Sequence, residues 1–244
     1  MIPKTIYYAW FGGKSKPVEI TKRIEQWQRL NPDYLIVEIN EQNFDVQMMA
    51  YTAAAYAEGK WAFVSDVARL VVIYQNGGFY FDTDVDLLKP LDSLRENKLF
   101  FAKESPSVVN SGLGFGGESN NRLLEDLIKI YESSHFDSET SFLTTDVITS
   151  ELKKIGLSDY NALQVLPGDV TIYPTNYFAP LHFFGGGKIR SYSIAVHRYE
   201  GSWISKKLNI ADKVRMQLIL RLNFYLPFIR VMKNKIKNIA INSR

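Results

Sequence analysis

The pattern of apolar and polar positions switches several times between a strand-like and a helix-like period. Lys4-Thr5-Ile6-Tyr7-Tyr8-Ala9-Trp10-Phe11 is rich in β-branched and aromatic residues and predicts a first strand, ended by Gly12-Gly13. Pro17 then opens a helical pattern with Ile20, Ile24, Trp27 and Leu30 on one face. Asn31-Pro32-Asp33 breaks it, and Tyr34–Ile39 predicts a second strand. Strand, helix and strand of this length imply a parallel βαβ start. Two helical stretches follow, from about Val46 to Glu58 and from Trp61 to Gln75. The second carries apolar residues on most sides, Val67, Leu70, Val71 and Tyr74 among them, and predicts a well-covered helix.

Beyond Gly77-Gly78 the period shortens again. Phe79-Tyr80-Phe81 reads as a short buried strand, Leu87–Leu91 as a turn and Lys98–Ala102 as a further strand. Asn110–Gly117 is glycine-rich and predicts a tight bend; it lacks the lysine of a P-loop and the spacing of a dinucleotide fingerprint. Helices are expected over Leu123–Ser133 and Asp146–Ile155, and strands over Ala162–Leu166, Val170–Tyr173 and Tyr192–His197. The alternation predicts an α/β fold with a Rossmann-like sheet flanked by helices.

Within this frame, carboxylates arrive at alternate positions, Asp82, Asp84 and Asp86, immediately after a buried strand. In an extended chain alternate side chains share a face, so the three are expected to converge. A hard divalent cation such as Mg²⁺ or Mn²⁺ would relieve their repulsion; the competing reading is a solvated acidic turn. In the preceding helix Asp66 and Arg69 stand three apart and share a face, a spacing that suits an ion pair. His197 ends the last strand beside Gly201-Ser202-Trp203, and a neutral imidazole completes an oxygen-rich Mn²⁺ site.

Composition narrows the class. With 46% hydrophobic and 14% aromatic residues the chain can bury a core, and with no cysteine it forms neither disulfides nor thiolate metal sites. No Gly-x-Ser-x-Gly elbow or His-Glu-x-x-His occurs, so serine hydrolase and zincin readings lack their anchors. The start lacks the layout of a secretory signal and no apolar run reaches about 20 residues, from which a cytoplasmic location is expected. The net charge of +3 hides an asymmetry: residues 206–244 hold ten Lys/Arg against Asp212 alone, leaving 19 basic and 25 acidic side chains in residues 1–205. Apolar positions at helical spacing run through that basic stretch, which predicts a helical tail at an anionic membrane surface, here the inner face of the plasma membrane. A helix docked on the domain or a dimer contact is the alternative. Nucleic acid is not an expected partner, since no recognition module accompanies the charge.

Several segments, taken together, resemble glycosyltransferase family 32, the Och1-like and bacterial capsular and lipopolysaccharide sugar transferases. They are Ile2–Gly13, Phe63–Arg69, Gly77–Val85, Thr171–Pro174 and His197 through Gly201-Ser202-Trp203. The resemblance implies a GT-A fold over residues 1–205, with 206–244 as a basic extension. It implies a nucleotide-sugar donor, most readily a UDP-sugar, with Mn²⁺ or Mg²⁺. It places Trp10 at the nucleotide base, Asp66 and Arg69 on the donor sugar, Asp82 and Asp84 at ribose and metal–diphosphate, His197 as the late metal ligand, and Ser202 and Trp203 at the β-phosphate. Asp66, Arg69 and Asp84 are the residues it marks as catalytic, while Asp86 falls outside the pair. The implied reaction is retaining transfer of a hexose or N-acetylhexosamine to a saccharide acceptor, lipid-linked ones included, in capsule, lipopolysaccharide or other surface polysaccharide synthesis.

Two other readings compete. A strand followed by Asp82-Thr83-Asp84-Val85 also resembles the first motif of haloacid-dehalogenase-type phosphatases, with Asp82 as nucleophile and Gly168-Asp169 as a thin candidate for the paired-acid loop. The other is a sugar- or nucleotide-binding module without turnover.

Overall fold

The computed structural model describes residues 1–137, 144–181 and 187–200. Its centre is a mixed sheet built outward from β1 (Thr5–Ala9), which pairs in parallel with β2 (Leu35–Ile39) on one side and β3 (Gly78–Tyr80) on the other. The sheet continues through β7 (Phe115–Gly117), β5 (Leu99–Ser105), β9 (Val170–Tyr173) and β8 (Gln164–Leu166), with β6 (Val108–Val109) paired to β5. Strands β3 and β5 both run antiparallel to β7, and β9 runs parallel to β5, so β1, β2, β3, β5 and β9 all point the same way. The chain leaves β1 toward β2 and returns on the other side at β3. A doubly wound sheet binds ligands at such a reversal, beyond the carboxyl ends of the strands.

Period-two alternation sends successive side chains to opposite faces. Tyr7, Tyr80, Leu99 and Phe101 join one core with α2 (Ala50–Ala57), α3 (Trp61–Asn76), α4 (Arg122–Glu132) and α5 (Thr144–Lys154). Ile6, Tyr8, Phe79, Phe81 and Phe100 join the other, with α1 (Val18–Leu30), α6 (Thr175–Phe178) and a two-stranded ribbon of β4 (Val85–Leu87) and β10 (Ala195–His197). The alternation continues in β5, where Lys103 is fully buried. Its ammonium donates to the carbonyls of Pro106 at 2.9 Å and of Ser158 and Tyr160 at 2.6 Å each. Burial pushes its pKa down to about 8.

The expected βαβ start and the helices after it are present, with shifted bounds: α2 begins at Ala50 rather than near Val46, and α5 at Thr144. Gly77 ends α3 at φ 67° and Gly78 follows at φ 114°, conformations that L side chains rarely adopt. The glycine-rich stretch is more than a bend, since it holds a 3₁₀ turn at Ser111–Leu113 and strand β7. Strand β4 falls where only the tail of an acidic run was legible, because its pairing partner β10 lies more than a hundred residues away. Among the described residues no helix is long and apolar enough to cross a membrane. The expectations for Ser202, Trp203 and the basic tail fall outside the described residues.

Candidate active site

Three elements converge at the carboxyl edge of β3. Between β3 and β4 the chain makes a turn, closed by the Val85 amide donating to the Asp82 carbonyl at 3.1 Å. Asp82 and Asp84 flank it, so they approach through a turn rather than along an extended strand. This corrects the expectation of three carboxylates on one face: Asp86 lies on β4 and is held by Arg23 at 2.8 Å and by Arg198. Opposite the turn, β10 pairs His197 with Val85 and brings the imidazole in. His197 Nε2 lies 3.1 Å from Asp84 Oδ1 and 4.0 Å from Asp82 Oδ2.

Asp82, Asp84 and His197 each offer one ligand atom, all within 4.8 Å of one another. Two carboxylates and an imidazole form a donor set that suits Mn²⁺, so these residues fit a divalent cation. The Tyr199 amide donates to His197 Nδ1 at 3.1 Å, which leaves the proton of the neutral ring on Nε2, facing Asp84. Ligation through Nε2 therefore needs the other tautomer and gives up the Tyr199 contact. Asp84 also receives the Glu200 amide on Oδ2 at 3.0 Å. Burial raises the Asp84 pKa; the neighbouring His197 opposes this and Asp82 adds to it.

From α3 the Asp66–Arg69 pair forms as its spacing suggests, at 2.8 Å, and Arg69 also reaches Asp82 at 3.3 Å. The guanidinium is buried, bonded to Ser65 and Ser111, and lies 4.7 Å from the centre of the Tyr80 ring. Burial works against its charge, but Asp82, Tyr80 and Asp66 outweigh it and the pKa rises. Burial likewise raises Asp66, against the pull of Arg69 and a hydrogen bond with Thr144. The Tyr80 hydroxyl donates to Asp82 Oδ1 at 3.0 Å. A fixed cation thus sits directly behind the acidic turn. Gly112 leaves room for it: a Cβ there would stand 2.1 Å from Asp82 Oδ2.

Trp10 follows β1 at the same sheet edge, with its indole N–H donating to the Lys14 carbonyl at 2.6 Å. Two site residues escaped the sequence reading. Glu104 lies near the end of β5 in hydrogen-bond contact with Asn110 and Tyr199, and burial raises its pKa. The expected strand stopped at Ala102, three residues short of the end of β5 at Ser105; an acid on a longer strand was the available signal. Arg23 is the other. It shares the inward helix face of Ile20 and Trp27 by spacing, and an arginine on an apolar stripe was its signal.

The phosphatase reading loses its second motif. Gly168-Asp169 enters β9 from the opposite edge of the sheet, and Asp169 pairs with Lys98 at 2.6 Å on the surface.

The parallel strands around β1, the switch point and the acidic turn define a GT-A glycosyltransferase fold. Residues 17–101, from α1 into β5, match the family described as "Glycosyltransferase sugar-binding region containing DXD motif". The matched region contains Asp66, Arg69, Asp82 and Asp84. Among solved structures, the chain is similar to "PaToxG Glycosyltransferase" at 20% identity and a TM-score of 0.52, over 63% of this chain and 68% of that one. A "glycosyltransferase involved in the glycosylation of the major capsid of PBCV-1" aligns over 88% of this chain and 99% of that one, at 9% identity and a TM-score of 0.45. No curated protein sequence matches.

Proposed function

We propose that this chain is a cation-dependent, retaining glycosyltransferase of the family 32 type, which moves a hexose or N-acetylhexosamine from a nucleotide-sugar to a saccharide acceptor. A UDP-sugar is the favoured donor and surface polysaccharide the favoured destination. The observation that carries the reading is the approach of Asp82, Asp84 and His197 to within 4.8 Å at the switch-point edge, with the buried Arg69 behind them. When bound, a divalent cation neutralises the charge that develops on the departing diphosphate.

The chain's own groups supply the rest. Arg69 is fixed by Asp66, Ser65 and Ser111, so its charge needs no reorganisation when a donor sugar arrives. The paired acid Asp66 then has a carboxylate edge to accept sugar hydroxyls. Trp10, beyond β1, offers an aromatic face to the base. Ser202 and Trp203 are assigned to the β-phosphate by the resemblance. With no carboxylate assigned as a covalent nucleophile, the acceptor is expected to attack on the face the diphosphate leaves, and the diphosphate to take the acceptor proton.

Acceptor-free hydrolysis of a panel of UDP- and GDP-sugars, with Mn²⁺ and then with EDTA, tests this. Hydrolysis of one donor that EDTA abolishes is expected. Turnover of a phosphomonoester without nucleotide, and none of any nucleotide-sugar, would contradict it.

A further inference from the structure

Asp86 and Arg23 belong to neither the cation set nor the Asp66–Arg69 pair, yet they stand between its two halves. Arg23 projects from α1 with its side chain largely covered, and each face of its guanidinium meets a different segment. Nε donates to Asp86 Oδ1 at 2.8 Å, on β4. Nη1 donates to the Thr83 carbonyl at 2.6 Å, the peptide between the two turn aspartates. Nη2 donates to Glu200 Oε1 at 2.6 Å, three residues beyond His197. Arg198 closes the ring from the other side, with Nε donating to Asp86 Oδ2 at 2.6 Å.

We propose that Arg23 is a positioning residue that holds the Asp82–Asp84 turn and the His197–Glu200 segment in register, with Asp86 as the shared anchor. This rests on the cation-site reading above. The two segments meet directly through the Arg198 amide on the Asp84 carbonyl at 2.9 Å and the Glu200 amide on Asp84 Oδ2. Both contacts join residues more than a hundred apart in the sequence and extend the pairing of the β4–β10 ribbon past its end. Arg23 ties them to a helix packed on the core, through Trp27 one turn on, whose indole N–H donates to the Val85 carbonyl at 2.8 Å. The planar fork matters: three acceptors in different directions match a guanidinium, whereas an ammonium offers no such fixed fan. Partners that orient metal ligands commonly change cation affinity by 10–100-fold when removed.

The test uses the full chain freed of metal, with Mn²⁺ as the probe. Arg23→Met is expected to weaken Mn²⁺ binding, read by electron paramagnetic resonance, about tenfold or more. Arg23→Lys should recover only part of it, and Lys98→Met, which removes the surface pair with Asp169 at the opposite edge of the sheet, should leave it unchanged. Hydrogen exchange supplies a readout without metal: in Arg23→Met the Val85, Arg198 and Glu200 amides should exchange faster together. In Glu200→Gln only the Arg198 and Glu200 amides should do so. Wild-type affinity in Arg23→Met, an equal loss in Lys98→Met, or unchanged exchange at these amides would overturn the clamp. A wild-type chain that binds no Mn²⁺ would instead overturn the cation site, and the exchange pattern alone would then decide the role of Arg23.

Discussion

At the scale of single residues, the site depends on what surrounds Asp82. Gly112→Ala would put a methyl group 2.1 Å from its Oδ2, so the carboxylate must swing away. The expected outcome is weaker Mn²⁺ binding with a folded protein, measured by titration against circular dichroism. Arg69 has the opposite character, because the fold itself relies on it. Arg69→Met leaves Asp66 and Asp82 without their cation beside buried groups and is expected to cost about 3–5 kcal/mol in denaturant unfolding. Of the partners of Arg69 in α3, Asp66 was readable from the three-residue spacing, whereas Ser65 was not. Ser111 and Tyr80 were not, since their contribution depends on a turn and a strand brought alongside by tertiary packing. Glu104 shows the same limit: a strand end set three residues early, at Ala102 rather than Ser105, hides the acid that follows.

The acidic turn and β5 show what elements add. Alternation along an extended chain predicted one face for Asp82, Asp84 and Asp86, but the bond from the Val85 amide to the Asp82 carbonyl curls the chain. That turn separates Asp86 from the pair and gives it to Arg23 and Arg198. The error came from treating a strand pattern as continuous where β3 stops at Tyr80 and a new strand starts at Val85. In β5 the buried Lys103 fastens the strand to two loops. Removing it in Lys103→Met strands three carbonyls and is expected to lower stability by about 3 kcal/mol at pH 7. Its folded pKa of about 8 lies below the ordinary 10.5, so the unfolded chain binds the extra proton between those values. Unfolding then takes up protons, and stability rises with pH across that window. Denaturant midpoints from pH 8 to 10 should rise in the wild type relative to Lys103→Met; parallel curves would show that Lys103 does not titrate there.

For the molecule as a whole, the order of elements was largely legible: the βαβ start, the helix rich in apolar residues and the glycines that end it all appear where the pattern put them. The antiparallel insertion of β7 between β3 and β5 was hidden, because glycine-rich segments carry little periodic signal. So was the β4–β10 ribbon, which delivers His197 to the acidic turn from a distant part of the sequence. The basic stretch 206–244 makes a separate prediction. If it attaches the protein to an anionic surface, deleting it should abolish sedimentation with phosphatidylserine-containing vesicles and leave the proposed donor hydrolysis in solution intact. Unchanged sedimentation would assign its charge elsewhere.

The central claim is that Asp82, Asp84 and His197 make one site for nucleotide-sugar cleavage. Its most direct test is UDP release from the preferred UDP-sugar in Mn²⁺, wild type against Asp84→Asn, with matched unfolding curves. A loss of about a hundredfold or more in the variant, with the fold unchanged, is predicted from the loss of a charge-bearing ligand. Equal release from both proteins would contradict it.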